Sequence, residues 1–342
     1  MVKRVTIKDL ALALGISTAT VARALGNKPR IDPHTKNRVI KEAQKKGYIA
    51  NSGARNLRSG QSSIIGYVVP DVENEINASI AKNISEYFSQ NQFQMVLSNS
   101  DENPELEYTQ VKALAEARCA GIVLTSSASP KRLTIELLKE IPTIQILRHN
   151  ENLKSDFIGI DDRLSAKIAT NHLLSLGHMH VGYVGGVMGV NTGLNRLEGF
   201  KEAFSEHHID PNSEMIKTGS VRAAFAKEAI KELFSKKNKP TAIVSAGARV
   251  TLGILEGLKD LGLRIPEDIS IVGYTDQPWM TGWGNGITTV SAPFAKAGKI
   301  AGKLLLERIG QKQSMAKTSI QPERHIFYPD LILRGSTAKI CS

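Results

Sequence analysis

The chain has 342 residues, 41% of them hydrophobic, with 44 Lys and Arg against 33 Asp and Glu. That length suits a small module plus a body of one or two domains, and no run of 18 apolar residues provides a membrane-spanning helix. Its two cysteines, Cys119 and Cys341, exclude a disulfide framework. With no charged-then-apolar leader before Thr6, the expected compartment is the cytoplasm.

Charge is segregated. Residues 1–60 hold 13 basic and 3 acidic side chains, which leaves the rest of the chain at a net +1. A solvated surface gives no reason for such a division, whereas a phosphate backbone rewards it through counterion release.

Within that basic stretch, Thr6 and Asp9 have the spacing of a capping box, and Leu10, Ala13 and Leu14 repeat at helical spacing. Gly15 stops this first helix and Ile16 plugs the turn. Ser17 caps a second helix. Its inward residues are Val21, Ala24 and Leu25, so Thr18, Ala19, Ala22 and Arg23 face outward. Two short helices about a glycine turn, the second with a polar outward start, have the layout of a helix-turn-helix that reads a DNA major groove. Asp32 and Pro33 start a third helix ending near Lys46, with Val39, Ile40 and Ala43 inward.

Residues 51–60, NSGARNLRSG, span only about two turns, and Gly53 weakens them further. Arg55 and Arg58 repel one another on such a helix unless phosphates lie nearby. The segment reads either as a linker with a stray Leu57, or as a helix that forms on DNA and wedges Leu57 into the minor groove.

From Ile64 short apolar strands alternate with helices. Strands are predicted at 64–69, 95–98, 121–125, 143–147, 157–160, 181–185, 241–245 and 270–274. Helices are predicted at 76–90, 105–118, 163–176, 194–206, 223–236, 250–261 and 294–309. This grammar gives parallel α/β sheets. So many strands imply two lobes, with a ligand between them at the strand C-termini.

These features together resemble the LacI family of transcriptional regulators along essentially the whole chain. The resemblance rests on TIKDLALALGISTATVARAL, NSGARNLRSG, SDENPELE (100–107), LLSLGHMHVGYVGG (173–186), NRLEGF (195–200) and PEDISIVGYTD (266–276). It implies an α/β protein with an N-terminal three-helix helix-turn-helix head and hinge helix, then a two-lobed body like periplasmic binding proteins. The head is expected at 1–60, with the hinge helix at about 51–59, and the effector-binding and dimerisation body at 61–342. Lobe 1 is expected at about 62–161 and 292–322, and lobe 2 at about 162–291 and 323–338. The implied partners are a second copy of the chain, a double-stranded pseudo-palindromic operator and a small-molecule effector, with no cofactor.

Matched position by position, Ser17, Thr20 and Arg23 fall where the family holds phosphates or base edges, and Thr18 and Ala19 where operator preference varies. Ala22 replaces the family's usual serine, so one phosphate contact is absent. Thr18 and Ala19 are too small for bidentate base contacts, so specificity leans on Arg23, the hinge and DNA deformability. Ala54 and Leu57 match the minor-groove hinge positions. Thr6, Asn27, Arg30 and Arg58 complete the expected DNA surface.

The effector site departs from the family. Gly247 and Ala248, followed by Arg249, stand where relatives carry Asn-Asp, and Glu75, Ile76 and Asn77 where they often carry proline and aromatics. Arg196 matches an arginine that grips effector oxygens and Asp276 an effector-binding aspartate, whose usual aspartate neighbour is Thr275 here. Arg148 ends a strand facing the cleft, and Trp279 follows another strand end. Arg148, Arg196 and Arg249 converging on one cleft would favour an anion, such as a sugar acid or phosphorylated sugar. Otherwise Arg249 faces solvent or pairs with Glu256 or Asp276.

Other features imitate enzyme sites. VGYVGGVMG (181–189) lacks dinucleotide-binding spacing and reads as a tight bend. His178 and His180 share a strand face without a third ligand. Asp161 and Asp162 are adjacent and point apart, so no catalytic constellation is evident. A solute-binding protein for transport would share the body, but it leaves the basic head unexplained. Without leucine heptads after Arg334, no C-terminal bundle is expected.

Overall fold

The computed structural model describes residues 5–26, 31–48, 62–313 and 321–340. The chain divides into two compact units between residues 61 and 62.

The first unit contains α1 (Ile7–Leu14), α2 (Thr18–Leu25) and α3 (Pro33–Lys45). Thr6 Oγ1 accepts the Asp9 amide at 3.3 Å, and Asp9 Oδ2 accepts the Thr6 amide at 2.8 Å. This completes the capping box. Gly15 ends α1 at φ +65°, a left-handed conformation costly for any side chain. Ile16 packs on the small core of Leu10, Ala11, Val21, Ala24, Val39 and Ala43. Ala13, expected inward, is exposed and Ala11 is buried in its place. The inward stripe therefore runs through 10, 11 and 14, with Leu14 half-buried. Asp32 accepts the Thr35 amide at 2.8 Å, a bond that holds its carboxyl below the usual range.

In the second unit, the first sheet comprises β1 (Ile64–Val69), β2 (Gln94–Asn99), β3 (Gly121–Leu124), β4 (Thr143–Ile146), β5 (Asp156–Ile160) and β11 (Arg324–Phe327). Its order is β11-β5-β4-β3-β1-β2, parallel throughout. The second sheet comprises β6 (Val181–Val184), β7 (Ile216–Lys217), β8 (Ala242–Ser245), β9 (Ser270–Tyr274), β10 (Thr288–Ser291) and β12 (Asp330–Ile332). Its order is β12-β10-β9-β8-β6-β7, and only the β10–β12 pairing is antiparallel. Central strands such as IIGYVV are apolar almost end to end because helices cover both faces.

Around the first sheet lie α4 (Glu75–Gln90), α5 (Pro104–Glu116), α6 (Arg132–Lys139) and α12 (Phe294–Gln313). Around the second lie α7 (Asp162–Ser175), α8 (Asn191–Glu206), α9 (Ala223–Ser235), α10 (Ala248–Asp260) and the short α11 (Pro278–Thr281). In the first lobe, Ile80, Ile84 and Phe88 of α4 meet Ala297, Ala301 and Leu305 of α12 in one buried core.

The chain passes between the sheets after β5, after β10 and again after β11. The last passage corrects the expected boundary, because Arg324–Phe327 pairs with β5 in the first lobe rather than opening the second. Arg308 of α12 holds this edge through Asp156 at 2.8 Å and Glu323 at 3.0 Å. A four-residue strand reading Arg-His-Ile-Phe carries too little apolar pattern to be placed from sequence. The short β7, β10 and β12 lack such a pattern too.

Candidate nucleic-acid interface and interlobe cleft

On the head, Ser17 Oγ accepts the Thr20 amide at 3.1 Å and lies 2.9 Å from Thr20 Oγ1. These bonds fix the start of α2. Thr6, Ser17, Thr18, Ala19 and Arg23 are exposed, whereas Thr20 and Ala22 are half-buried. Burial of Val21 and Ala24 turns the opposite side of α2 outward. Arg23 has no ion-pair partner among the described residues, so its guanidinium is available to a phosphate or a base edge. Of the other expected DNA contacts, Asn27, Arg30, Ala54, Leu57 and Arg58 lie outside the described residues, as does the whole hinge segment.

In the body, the C-terminal ends of the two sheets face a common cleft lined by Asn77, Thr125, Arg148, Thr192, Arg196 and Arg249, among others. Pro70, Thr125 and Arg148 follow β1, β3 and β4, and Gly247 follows β8, so the site sits where open α/β sheets place ligands. Of the residues proposed from sequence, Ile76, Asn77, Arg148, Arg196, Gly247 and Arg249 all line this cleft. The sequence reading missed Thr125, Thr192 and Phe294. Each lies just past a strand end or in the first turn of a helix.

Two expected residues lie elsewhere. Asp276 pairs with Arg334 at 2.8 Å, and Trp279 packs with Trp283 against the second lobe's core. Asp276 follows Thr275, whose φ of +67° is rare for a β-branched residue and redirects the chain there.

All three arginines reach the cleft, and each already has a carboxylate. Arg148 donates from Nη1 and Nη2 to the two oxygens of Glu102, at 2.9 and 2.6 Å, and from Nη1 to the Ser126 carbonyl at 2.8 Å. Arg196 donates from Nε to Asp162 at 2.7 Å, from Nη1 to the Ala246 carbonyl at 2.7 Å and from Nη2 to the Tyr274 hydroxyl at 2.8 Å. Its guanidinium also stacks 4.0 Å from the Tyr274 ring centroid. Burial works against the Arg196 charge, but Asp162 beside it more than compensates and holds the guanidinium protonated. Arg249 pairs with Glu73 at 2.9 Å, not with Glu256 or Asp276. Each of the three guanidiniums thus meets the cleft with a carboxylate partner already in place.

The enzyme-like features have structural roles. Gly185 and Gly186 turn the chain after β6 at positive φ. His178 is buried with Thr241, Ser270 and the Ala338 carbonyl around its ring, while His180 is exposed. Asp161 caps α7 through the Leu164 amide at 2.9 Å. Among the described residues no cluster of His, Cys, Asp or Glu could hold a metal, and no helix is long and apolar enough to cross a membrane.

Residues 6–51 match the profile of the bacterial regulatory proteins, lacI family, and residues 170–337 that of the periplasmic binding protein-like domain. The HTH-type transcriptional regulator GalS of Salmonella typhimurium is 30% identical over 98% of this chain and 97% of its own. The HTH-type transcriptional repressor PurR of Aliivibrio salmonicida is 27% identical over 98% and 99%. A lac repressor dimer bound to operator and the anti-inducer ONPF superposes with a TM-score of 0.83 at 22% identity, covering 98% of this chain and all of that one. Basic helix-turn-helix head, two-lobed body and full-length similarity agree: the chain belongs to the LacI family of DNA-binding transcriptional regulators.

Proposed function

We infer that the protein represses transcription as a homodimer on a pseudo-palindromic operator, with α2 of each head in a major groove. In this reading it works in the cytoplasm on nucleoid DNA. Thr18, Ala19 and Arg23 form the reading surface, Thr6, Ser17 and Thr20 position it, and the segment around Ala54, Leu57 and Arg58 completes the contact. The exposed start of α2 on a basic module supports the DNA-reading role.

The effector binds in the interlobe cleft, against Ile76, Asn77, Arg148, Arg196, Gly247 and Arg249. We assign it to neutral, hydroxyl-rich molecules of the sugar type. The observation that carries this is the pairing of Arg148, Arg196 and Arg249 with Glu102, Asp162 and Glu73. Guanidiniums and carboxylates side by side offer the ligand both donors and acceptors, which suits hydroxyls, since these donate and accept at once. Among structural neighbours, CelR is described in complex with cellobiose.

Calorimetric titration of the full-length protein tests the assignment, using glucose, galactose, ribose and cellobiose against glucose 6-phosphate, ribose 5-phosphate and gluconate. Binding of a neutral member is expected. Binding confined to the anionic members overturns it in favour of the sugar-acid or sugar-phosphate reading.

A further inference from the structure

Three sets of bonds cross from the first lobe to the second at the mouth of the cleft. Arg249, in the first turn of α10, donates to the Glu73 carboxylate at 2.9 Å and to its carbonyl at 3.3 Å. Arg222, just before α9, pairs with Asp101. Asn191, at the start of α8, accepts the His149 amide at 3.0 Å and donates to the Leu147 carbonyl at 3.4 Å. Beside them, a Cβ placed on Gly189 would stand 3.1 Å from that of Ala128, so this glycine permits the close approach of the lobes.

The partners in the first set are unequal. The Glu73 side chain is 70% exposed and remains hydrated if released. That of Arg249 is 27% exposed, and its Nε is sealed from solvent with no partner among the described residues. Once released, Arg249 needs a new acceptor and Glu73 does not. The second set connects to the cleft wall through the backbone. Asp101 and Glu102 are consecutive non-glycine residues at φ +51° and +57°, an unfavourable conformation that presents one carboxylate to Arg222 and the next to Arg148.

We propose that these bonds form a latch that holds the lobes together, and that Glu73 is a built-in competitor for the effector's place on Arg249. Effector entry exchanges the Glu73 carboxylate for an effector oxygen while Glu73 moves to water. Exposed pairs are individually weak, which suits a contact that a hydroxyl must displace. The exchange of partners rests on the cleft being the effector site. The latch itself is tested without any effector.

Amide hydrogen exchange on the full-length protein reads the latch, comparing wild type, Glu73→Gln/Asp101→Asn and Gly189→Leu. The double variant removes two charge pairs, and the leucine wedges the lobes apart without touching either. Both are expected to raise exchange about 2- to 30-fold in 71–77, 147–150 and 248–252, with the global urea midpoint near wild type. Unchanged exchange in the double variant overturns the latch, and so does a rise confined to 71–77, which would make the Glu73 contact merely local. A saccharide that binds the wild type should bind Glu73→Gln 2- to 5-fold more tightly; weaker binding would make Glu73 a ligand and overturn its role as competitor. Failure of every saccharide to bind counts against the effector assignment and leaves the exchange result to decide the latch.

Discussion

Asp162 and Arg196 meet through a single carboxylate oxygen. Oδ1 of Asp162 takes Arg196 Nε at 2.7 Å and Nη2 at 2.6 Å, and the Tyr274 hydroxyl at 3.2 Å. The Asp162 side chain is 2% exposed, so its charge depends on these donors. Replacing Arg196 by leucine should therefore destabilise the body by about 3–5 kcal/mol, because it strands a buried carboxylate. Replacing both residues by leucine should cost less than the single change. Urea unfolding of the two variants checks the order.

Arg23 should contribute through charge. Arg23→Ala is expected to weaken binding to every duplex and to reduce the slope of log affinity against log salt by about 1 if it holds a phosphate. If it reads a base edge, the loss should instead be about 1–3 kcal/mol and confined to one operator position. Fluorescence anisotropy titrations over a range of salt distinguish the two.

The head's core is small enough for one side chain to matter. Leu10 is fully buried between α1, α2 and α3, so Leu10→Ala should cost about 2–5 kcal/mol and abolish DNA binding, while the body keeps its own unfolding transition. Calorimetric scans should show the head's transition lost and the body's unchanged.

Burial lowers the ring pKa of His178 below the ordinary histidine value of about 6.5. The Ala338 carbonyl can only accept, so Nε2 carries the proton and Nδ1 accepts from the Thr241 hydroxyl. A depressed folded-state pKa gives stability that is present above the unfolded value and lost as pH falls through the folded one. Thermal midpoints should hold near neutrality and fall below about pH 6.5. His178→Gln should flatten that fall in part, because His149 and His172 are shifted in the same direction.

The head was legible because its signals are local. A Thr-x-x-Asp cap, a glycine stop and a Ser cap each act within four residues, and the structure contains all three. In the body, the buried parallel strands announced themselves as continuous apolar runs, and the three cleft arginines sit at strand ends or on a family motif. What sequence did not disclose is pairing across distance. Glu73 lies 176 residues from Arg249, and Glu102 lies 46 from Arg148. No periodicity joins such residues, so the cleft's charge was read without its counter-charge. Trp279 follows a strand end, where an aromatic can stack at the cleft mouth or simply join the core, and it packs on the second lobe's core.

The central claim is that the head reads DNA as a symmetric pair, and selection from random duplex DNA with the full-length protein tests it most directly. Enrichment of an inverted repeat with a flexible pyrimidine–purine step at its centre is the expected result. An enriched site without two-fold symmetry, or no enrichment over random duplex, would contradict it.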